Sequence, residues 1–232
     1  MKLNALQLRQ LEEERARGVI RKIKRNPIYF ILEDIYDTYN IGGLFRLADA
    51  LAVEKMYLVG ETETPPNSRI KKASIGTYKV VPWEYKKTTK EAIEEIKSKV
   101  KSSPFATSFA KASEVKKASG DKQKSKTKSD LVKSQNQEKK LQVTPRQTWL
   151  SSYKLQVVAV EQHKNSIPYT QANYHFPLAL IFGNESYGVK EETLKLVDQI
   201  VEIPMYGINK SLNVIVAAGI VSYFVISKLF QT

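Results

Sequence analysis

The stretch from Pro177 to Phe230 constrains the fold of this chain more than any other. It reads PLALIFGNESYGV, a short charged stretch, then QIVEIPMYGINKSLNVIVAAGIVSYFVISKLF. Two short apolar runs, Leu178–Phe182 and Ile200–Ile203, end in loops of Gly, Asn, Glu, Ser and Pro. Strands that are apolar nearly throughout are covered on both faces, as in the parallel sheets of α/β proteins. Such folds bind ligands where their strands end. The final run, Val214 to Ile226, is apolar apart from Ser222. At about 13 residues it falls short of the ~20 that span a bilayer, so it reads as a helix buried between the sheet and another subunit.

Upstream, strands and helices alternate. Tyr29–Ile35 reads as a strand, Asp37–Asn40 as a loop with a capping residue, and Ile41–Ala52 as a helix with a glycine-rich first turn. A strand over Lys55–Gly60, a turn-rich segment 61–76 and a strand-like Tyr78–Trp83 follow. Thr88–Lys101 fits a helix begun by a threonine cap, with Ala92, Ile93, Ile96 and Val100 on one face. After a gap the pattern resumes with a strand over Leu155–Glu161 and a helix over Lys190–Val197. The expectation is one α/β domain, residues 27–232, built on a mainly parallel sheet flanked by helices. Residues 1–26 form an amphipathic helical flank ahead of it. The gap, about 102–147, is rich in Ser, Lys, Gln and Thr and reads as a flexible insertion within that domain.

Composition narrows the chemistry. There is no cysteine and only two histidines, His163 and His175, which leaves little material for a metal site or a Ser-His-Asp triad. No metal is expected. The net charge of +13 favours a polyanionic partner. Twelve lysines between Ser98 and Lys140 face four acids, so that stretch carries +8 of the total and the rest is mildly basic. The opening residues are charged and amphipathic, unlike a secretory signal, so the expected compartment is the cytoplasm and no membrane association is expected. Neither GxGxxG after the first strand nor GxxxxGK[ST] occurs, and GNESYG lacks the spacing of a G-x-S-x-G elbow.

Three segments together carry a more specific signal. The first is N-x-G-x-x-x-R-x-A-D-A, with Asn40, Gly42, Arg46, Ala48, Asp49 and Ala50. The second is G-N-E-x-x-G, with Gly183, Asn184, Glu185 and Gly188. The third is I-P-M-x-G-x-x-x-S-L-N-V, with Ile203, Pro204, Met205, Gly207, Ser211, Leu212, Asn213 and Val214. In this order they resemble the SpoU (TrmH-like) branch of the SPOUT methyltransferases, over roughly residues 26–98 and 153–230. Gly43, Leu47, Ala52, Ser186 and Ile215 depart from the usual pattern of that family.

The resemblance implies an α/β knot, with the C-terminal helix threaded through a loop as a trefoil, and a homodimer with the cofactor pocket against its interface. It implies S-adenosylmethionine as cofactor, structured RNA (tRNA or rRNA) as substrate, and transfer of the methyl group to a ribose 2′-hydroxyl. It also implies that Gly183, Asn184, Ile203, Met205, Gly207 and Leu212 border the cofactor. Glycines at 183 and 207 would let backbone approach it closely. Arg46 stands at the family's catalytic position. A guanidinium whose pKa exceeds about 12 is a poor base, so holding an RNA phosphate and polarising the ribose oxygen suits it better than removing a proton. Asn40 would shape its loop and help place the substrate. Asn184 and Glu185 would orient Arg46 or the ribose, and Ser211 and Asn213 would organise the last loop. Taken singly, Asn40, Ser211 and Asn213 also read as helix caps. A non-catalytic RNA-binding or ribosome-assembly factor and a base-methylating SPOUT enzyme remain open as alternatives. Which RNA and which nucleotide is modified is not written in these residues.

Overall fold

The computed structural model describes residues 23–102 and 154–230. Most of the helical flank expected over residues 1–26 and of the insertion expected at about 102–147 lies outside these. Residues 23–25 carry irregular backbone, and the Arg25 guanidinium donates to the carbonyls of Val53 and Val80.

Seven strands form one sheet: β1 (Asn26–Glu33), β2 (Val53–Val59), β3 (Trp83–Lys86), β4 (Gln156–Val160), β5 (Ile167–Pro168), β6 (Leu178–Phe182) and β7 (Gln199–Glu202). Their order is β3-β2-β1-β6-β4-β7-β5, and every pairing is parallel. The helices are α1 (Thr38–Ala50), α2 (Ser68–Ser74), α3 (Thr89–Ser102), α4 (Glu191–Leu194) and α5 (Val214–Phe230). Alternation along β1 sends Ile28, Phe30 and Leu32 to one face and Tyr29 and Ile31 to the other. The first face packs on α1 and α5 through Leu44, Phe45, Val221 and Val225; the second packs on α3 through Ala92, Ile93, Ile96 and Val100. A parallel sheet needs both covers, because each fully buried Ile, Leu or Phe contributes about 1.5–3 kcal/mol only when water is excluded from both sides.

Three expected segments sit differently. The strand read over Tyr78–Trp83 is a 3-10 turn (Thr77–Lys79) followed by β3, which starts only at Trp83. Tyr78 and Trp83 instead pack edge-on against Phe45 of α1. The turn-rich segment 61–76 contains α2, capped by Asn67, whose Oδ1 accepts from the N–H groups of Arg69 (2.9 Å) and Ile70 (3.3 Å). The helix read over Lys190–Val197 is only the single turn of α4, and the short edge strand β5 had no counterpart in the sequence pattern.

Close helix contacts explain two glycines. A Cβ at Gly42 would overlap Ala73 of α2, and one at Gly43 would overlap the Ile215 side chain at the start of α5. Gly43 and Ile215 are both departures from the family pattern, and the room left by the first is filled by the second. Among the described residues no helix is long and apolar enough to cross a membrane. The apolar α5 buries Ala218, Val221, Ser222, Val225, Ile226 and Leu229. Its other side leaves Val216 (49%), Ile220 (36%) and Tyr223 (54%) exposed in an i, i+4, i+7 stripe.

Candidate active site at the ends of β4, β6 and β7

The C-terminal ends of β4, β6 and β7 surround a cleft of about 530 Å³. One wall is the loop after β6, Gly183–Lys190. A Cβ on Gly183 would overlap the Gly188 carbonyl, so glycine is required here by the loop's own fold. Asn184 and Gly188 exchange backbone hydrogen bonds (3.1 and 2.9 Å). The Asn184 side chain accepts from the N–H groups of Ser186 (2.8 Å) and Tyr187 (3.1 Å) and donates to the Asp34 carbonyl (2.6 Å). A wall built this way is formed before any ligand arrives.

Three carboxylates tie that wall to neighbouring strand ends. Glu161 at the end of β4 accepts from Val189 N (2.8 Å) and Gln162 N (2.8 Å). Glu33, buried at the end of β1, accepts from Lys190 N (3.0 Å) and from the hydroxyls of Thr89 and Thr193 (2.5 Å each). Asp34, at φ 52°, accepts from Glu61 N (2.8 Å) and pairs with the Lys190 ammonium (2.6 Å). The Asp34 hydrogen bond is the main reason the lysine is held above its ordinary pKa, against the opposing effect of partial burial. None of these three was singled out from the sequence. The available signal was two adjacent acids closing the apolar run YFILED, since buried carboxylates must be paired.

The opposite wall is the segment from Ile203 to Asn213. Ile203, Met205, Ser211, Leu212 and Asn213 line the cleft, as do Gly183, Asn184 and Glu185 across from them. Gly207 does not; it faces open space, with nothing within 4 Å of where a Cβ would stand. Tyr206 and Ile208 beside it are almost wholly exposed.

Asn40, Glu185 and Asn213 come from three separate motifs, and one string of hydrogen bonds joins them. Asn40 Nδ2 donates to Glu185 Oε1 (2.8 Å), and Asn213 Nδ2 donates to Asn40 Oδ1 (3.0 Å). Asn213 Oδ1 in turn accepts from Ile215 N (2.8 Å), so Asn213 caps α5 while also belonging to the string. The capping role near α1 falls to Asp37, not Asn40. Glu185 therefore orients Asn40, with no hydrogen bond to Arg46 among the described residues. Arg46 lies outside the cleft lining, on the exposed face of α1 one turn beyond Gly43, without a hydrogen-bond or ion-pair partner among the described residues. Ser211 lines the cleft with no side-chain hydrogen bond among the described residues.

With this geometry in place, comparison with known proteins is decisive for kinship. The SpoU rRNA Methylase family matches residues 27–128 and 121–223. The chain belongs to this family.

The chain is 43% identical over 68 residues to the tRNA (guanosine(18)-2′-O)-methyltransferase of Aquifex aeolicus, a match covering 29% of this chain and 32% of that protein. To the Escherichia coli K12 enzyme of the same name it is 35% identical over 69 residues, 30% of each. These matches span about a third of the length of those relatives. A longer, weaker match, 21% over 203 residues, joins 88% of the chain to 59% of the 23S rRNA (guanosine-2′-O-)-methyltransferase RlmB of Neisseria meningitidis. Among solved structures, the A. aeolicus TrmH/SpoU tRNA modifying enzyme superposes with a TM-score of 0.61 at 21% identity, covering 97% of this chain and 83% of that one. The SpoU methyltransferase AviRb from Streptomyces viridochromogenes, in complex with AdoMet, gives 0.61 at 18%, covering 90% and 63%. The fold is thus that of the SpoU methyltransferases, the parallel α/β sheet and C-terminal knot that the resemblance implied.

Proposed function

We propose that this chain is an S-adenosylmethionine-dependent ribose 2′-O-methyltransferase of tRNA or rRNA, working in the cytoplasm as a homodimer. The observation that carries the reading is the Glu185–Asn40–Asn213 string at the rim of the cleft. It fixes residues of all three motifs in one place, which a chain that had lost its chemistry would have no need to keep. Kinship supports the same reading, since the relatives named above act on tRNA or 23S rRNA.

The cleft suits the cofactor. Its volume of about 530 Å³ falls in the range of small-molecule sites. Glu161, Glu185 and Glu202 line it against a single lysine, Lys210, so its charge favours a cationic sulfonium ligand. Gly183, Asn184, Ile203, Met205 and Leu212 would hold the cofactor; Gly207 would join them only when its loop closes. When bound, the cofactor supplies an electrophilic methyl group. The protein's part is to align the ribose oxygen with it and exclude water. Asn40, kept in one orientation by Glu185 and Asn213, positions the ribose, and Ser211 completes the rim. Arg46, exposed on α1, neutralises the adjoining phosphate and polarises the hydroxyl, whose proton is released to solvent. A second copy of the chain covers the exposed stripe of Val216, Ile220 and Tyr223. The whole of residues 27–232 acts as one domain with the 102–147 segment inserted in it, and the preceding 1–26 as a flank.

The test is transfer of labelled methyl groups from S-adenosylmethionine to total cellular RNA. Arg46→Ala should lower the rate at least 100-fold while cofactor affinity stays within about twofold. Unchanged transfer by Arg46→Ala would remove the arginine from the mechanism.

A further inference from the structure

A second cleft, of about 300 Å³, opens beside the Asn40–Glu185 pair. Tyr36 and Tyr39 line one side, and Glu63, Asn67 and Arg69 line the other. The two tyrosines are 52% and 54% exposed, although they flank a tightly bonded loop. Tyr36 N lies 3.5 Å from Glu185 Oε2, and Tyr39 directly precedes Asn40. The cleft is therefore anchored to the residues that would hold the ribose. Asn67 and Asp37 spend their side chains on capping α2 and α1. The side chains of Glu63 and Arg69 have no hydrogen-bond or ion-pair partner among the described residues, which leaves one acceptor and one donor group facing a pair of aromatic rings. Arg69, Lys71 and Lys72 are all exposed on α2. The tight contact of Gly42 with Ala73 sets α2 directly against α1.

We infer that this cleft is a subsite for an unstacked base of the substrate RNA. Tyr36 and Tyr39 supply the stacking surface, Glu63 and Arg69 meet the base edge, and Lys71 and Lys72 neutralise flanking phosphates. The inference rests on the methyltransferase reading and extends it to substrate recognition. Exposed tyrosines on a rigid loop cost little entropy to order and present faces that any base can stack on. Sequence-specific RNA recognition mainly uses bases splayed out of a helix, and a ribose whose base has left the stack can bring its 2′-hydroxyl to an electrophilic methyl group. Because the α2 segment read as turns in the sequence, this basic and aromatic grouping emerges only from the folded arrangement.

The experiment compares the wild type with Tyr36→Ala/Tyr39→Ala and Tyr36→Phe/Tyr39→Phe. The measurements are binding of total cellular RNA, methyl transfer to it, and affinity for S-adenosylmethionine. The alanine pair should weaken RNA binding and raise KM about 5- to 100-fold, with cofactor affinity unchanged. The phenylalanine pair, which keeps the rings, should stay within about threefold of the wild type. Lys71→Gln/Lys72→Gln should flatten the salt dependence by about 0.7 to 0.9 log units per lysine. Should the alanine pair bind RNA as well as the wild type, or the phenylalanine pair fail as badly as alanine, the subsite is wrong. Absence of methyl transfer by the wild type would overturn the methyltransferase reading instead, while the binding comparison still decides the subsite.

Discussion

The two walls of the cleft are built in opposite ways. The Gly183–Lys190 wall is tied to the ends of two other strands, β1 through Glu33 and Asp34 and β4 through Glu161, and its one asparagine makes three side-chain hydrogen bonds. Apart from the bonds by which Asn213 starts α5, the Ile203–Asn213 wall makes two side-chain hydrogen bonds to the rest of the molecule among the described residues: Gln162 Nε2 donating to the Lys210 carbonyl (2.5 Å) and Asn213 to Asn40. Residues 206 to 213 are all exposed. The difference teaches that one wall of the cleft is preorganised, whereas the other is left open to the ligand and second copy proposed above. A preorganised wall lowers the entropy lost on binding, and an open one lets a cofactor in and its product out.

The pinned wall should show the largest mutational effects. Asn184→Ala removes three hydrogen bonds and leaves the buried Asp34 carbonyl short of a donor, a loss of about 1–3 kcal/mol in stability. Cofactor affinity should fall at least tenfold; thermal unfolding and titration calorimetry check both. If Asn184→Ala behaved like the wild type, the wall would not depend on that side chain and the contrast would collapse.

A smaller effect is expected where the open wall meets the exposed stripe of α5. Val216→Asp places a charge in a stripe proposed to be covered by a second copy, so light scattering should report a monomer. Cofactor affinity should drop roughly tenfold as the open wall loses its support, while the monomer keeps its fold, because Val216 is 49% exposed. A dimer that persists would mean that another surface joins the subunits. Gly207→Ala should be the mildest, within about 0.5 kcal/mol in unfolding free energy, since a methyl group there meets nothing. Its cofactor affinity sharpens the comparison further. A clear loss would show that the loop closes onto the ligand with backbone only glycine permits.

The same contrast governs what could be read in the sequence. The strands were legible because four of the seven, β1, β2, β4 and β6, are dominated by buried apolar residues, and Leu178–Phe182 matched to the residue. YKVVPW is strand-like in its β-branched and aromatic residues, yet Tyr78 serves the α1 face and β3 begins only at Trp83, which pairs with Met56. Helix α2 hid among turn residues because seven positions with two buried groups, Ile70 and Ser74, leave too little periodicity to see. In the candidate site, the motif residues could be named but not connected. Asn40 bonds to partners 145 and 173 positions away, and local spacing says nothing about such pairings. Glu33, Asp34 and Glu161 were overlooked since an acid at the end of a strand is ordinarily solvated. Here the chain crossings bury Glu33 and Asp34, and their partners arrive from four different segments.

The central claim is that the cleft delivers a methyl group to a ribose oxygen. It is tested most directly by incubating the protein with total cellular RNA and trideuteromethyl S-adenosylmethionine, digesting the RNA to nucleosides, and locating the label by mass spectrometry. The account predicts nucleosides carrying the deuterated methyl on the ribose, with an unlabelled free base after glycosidic cleavage. Label retained on the base, or absent from RNA while the cofactor still binds, would contradict it.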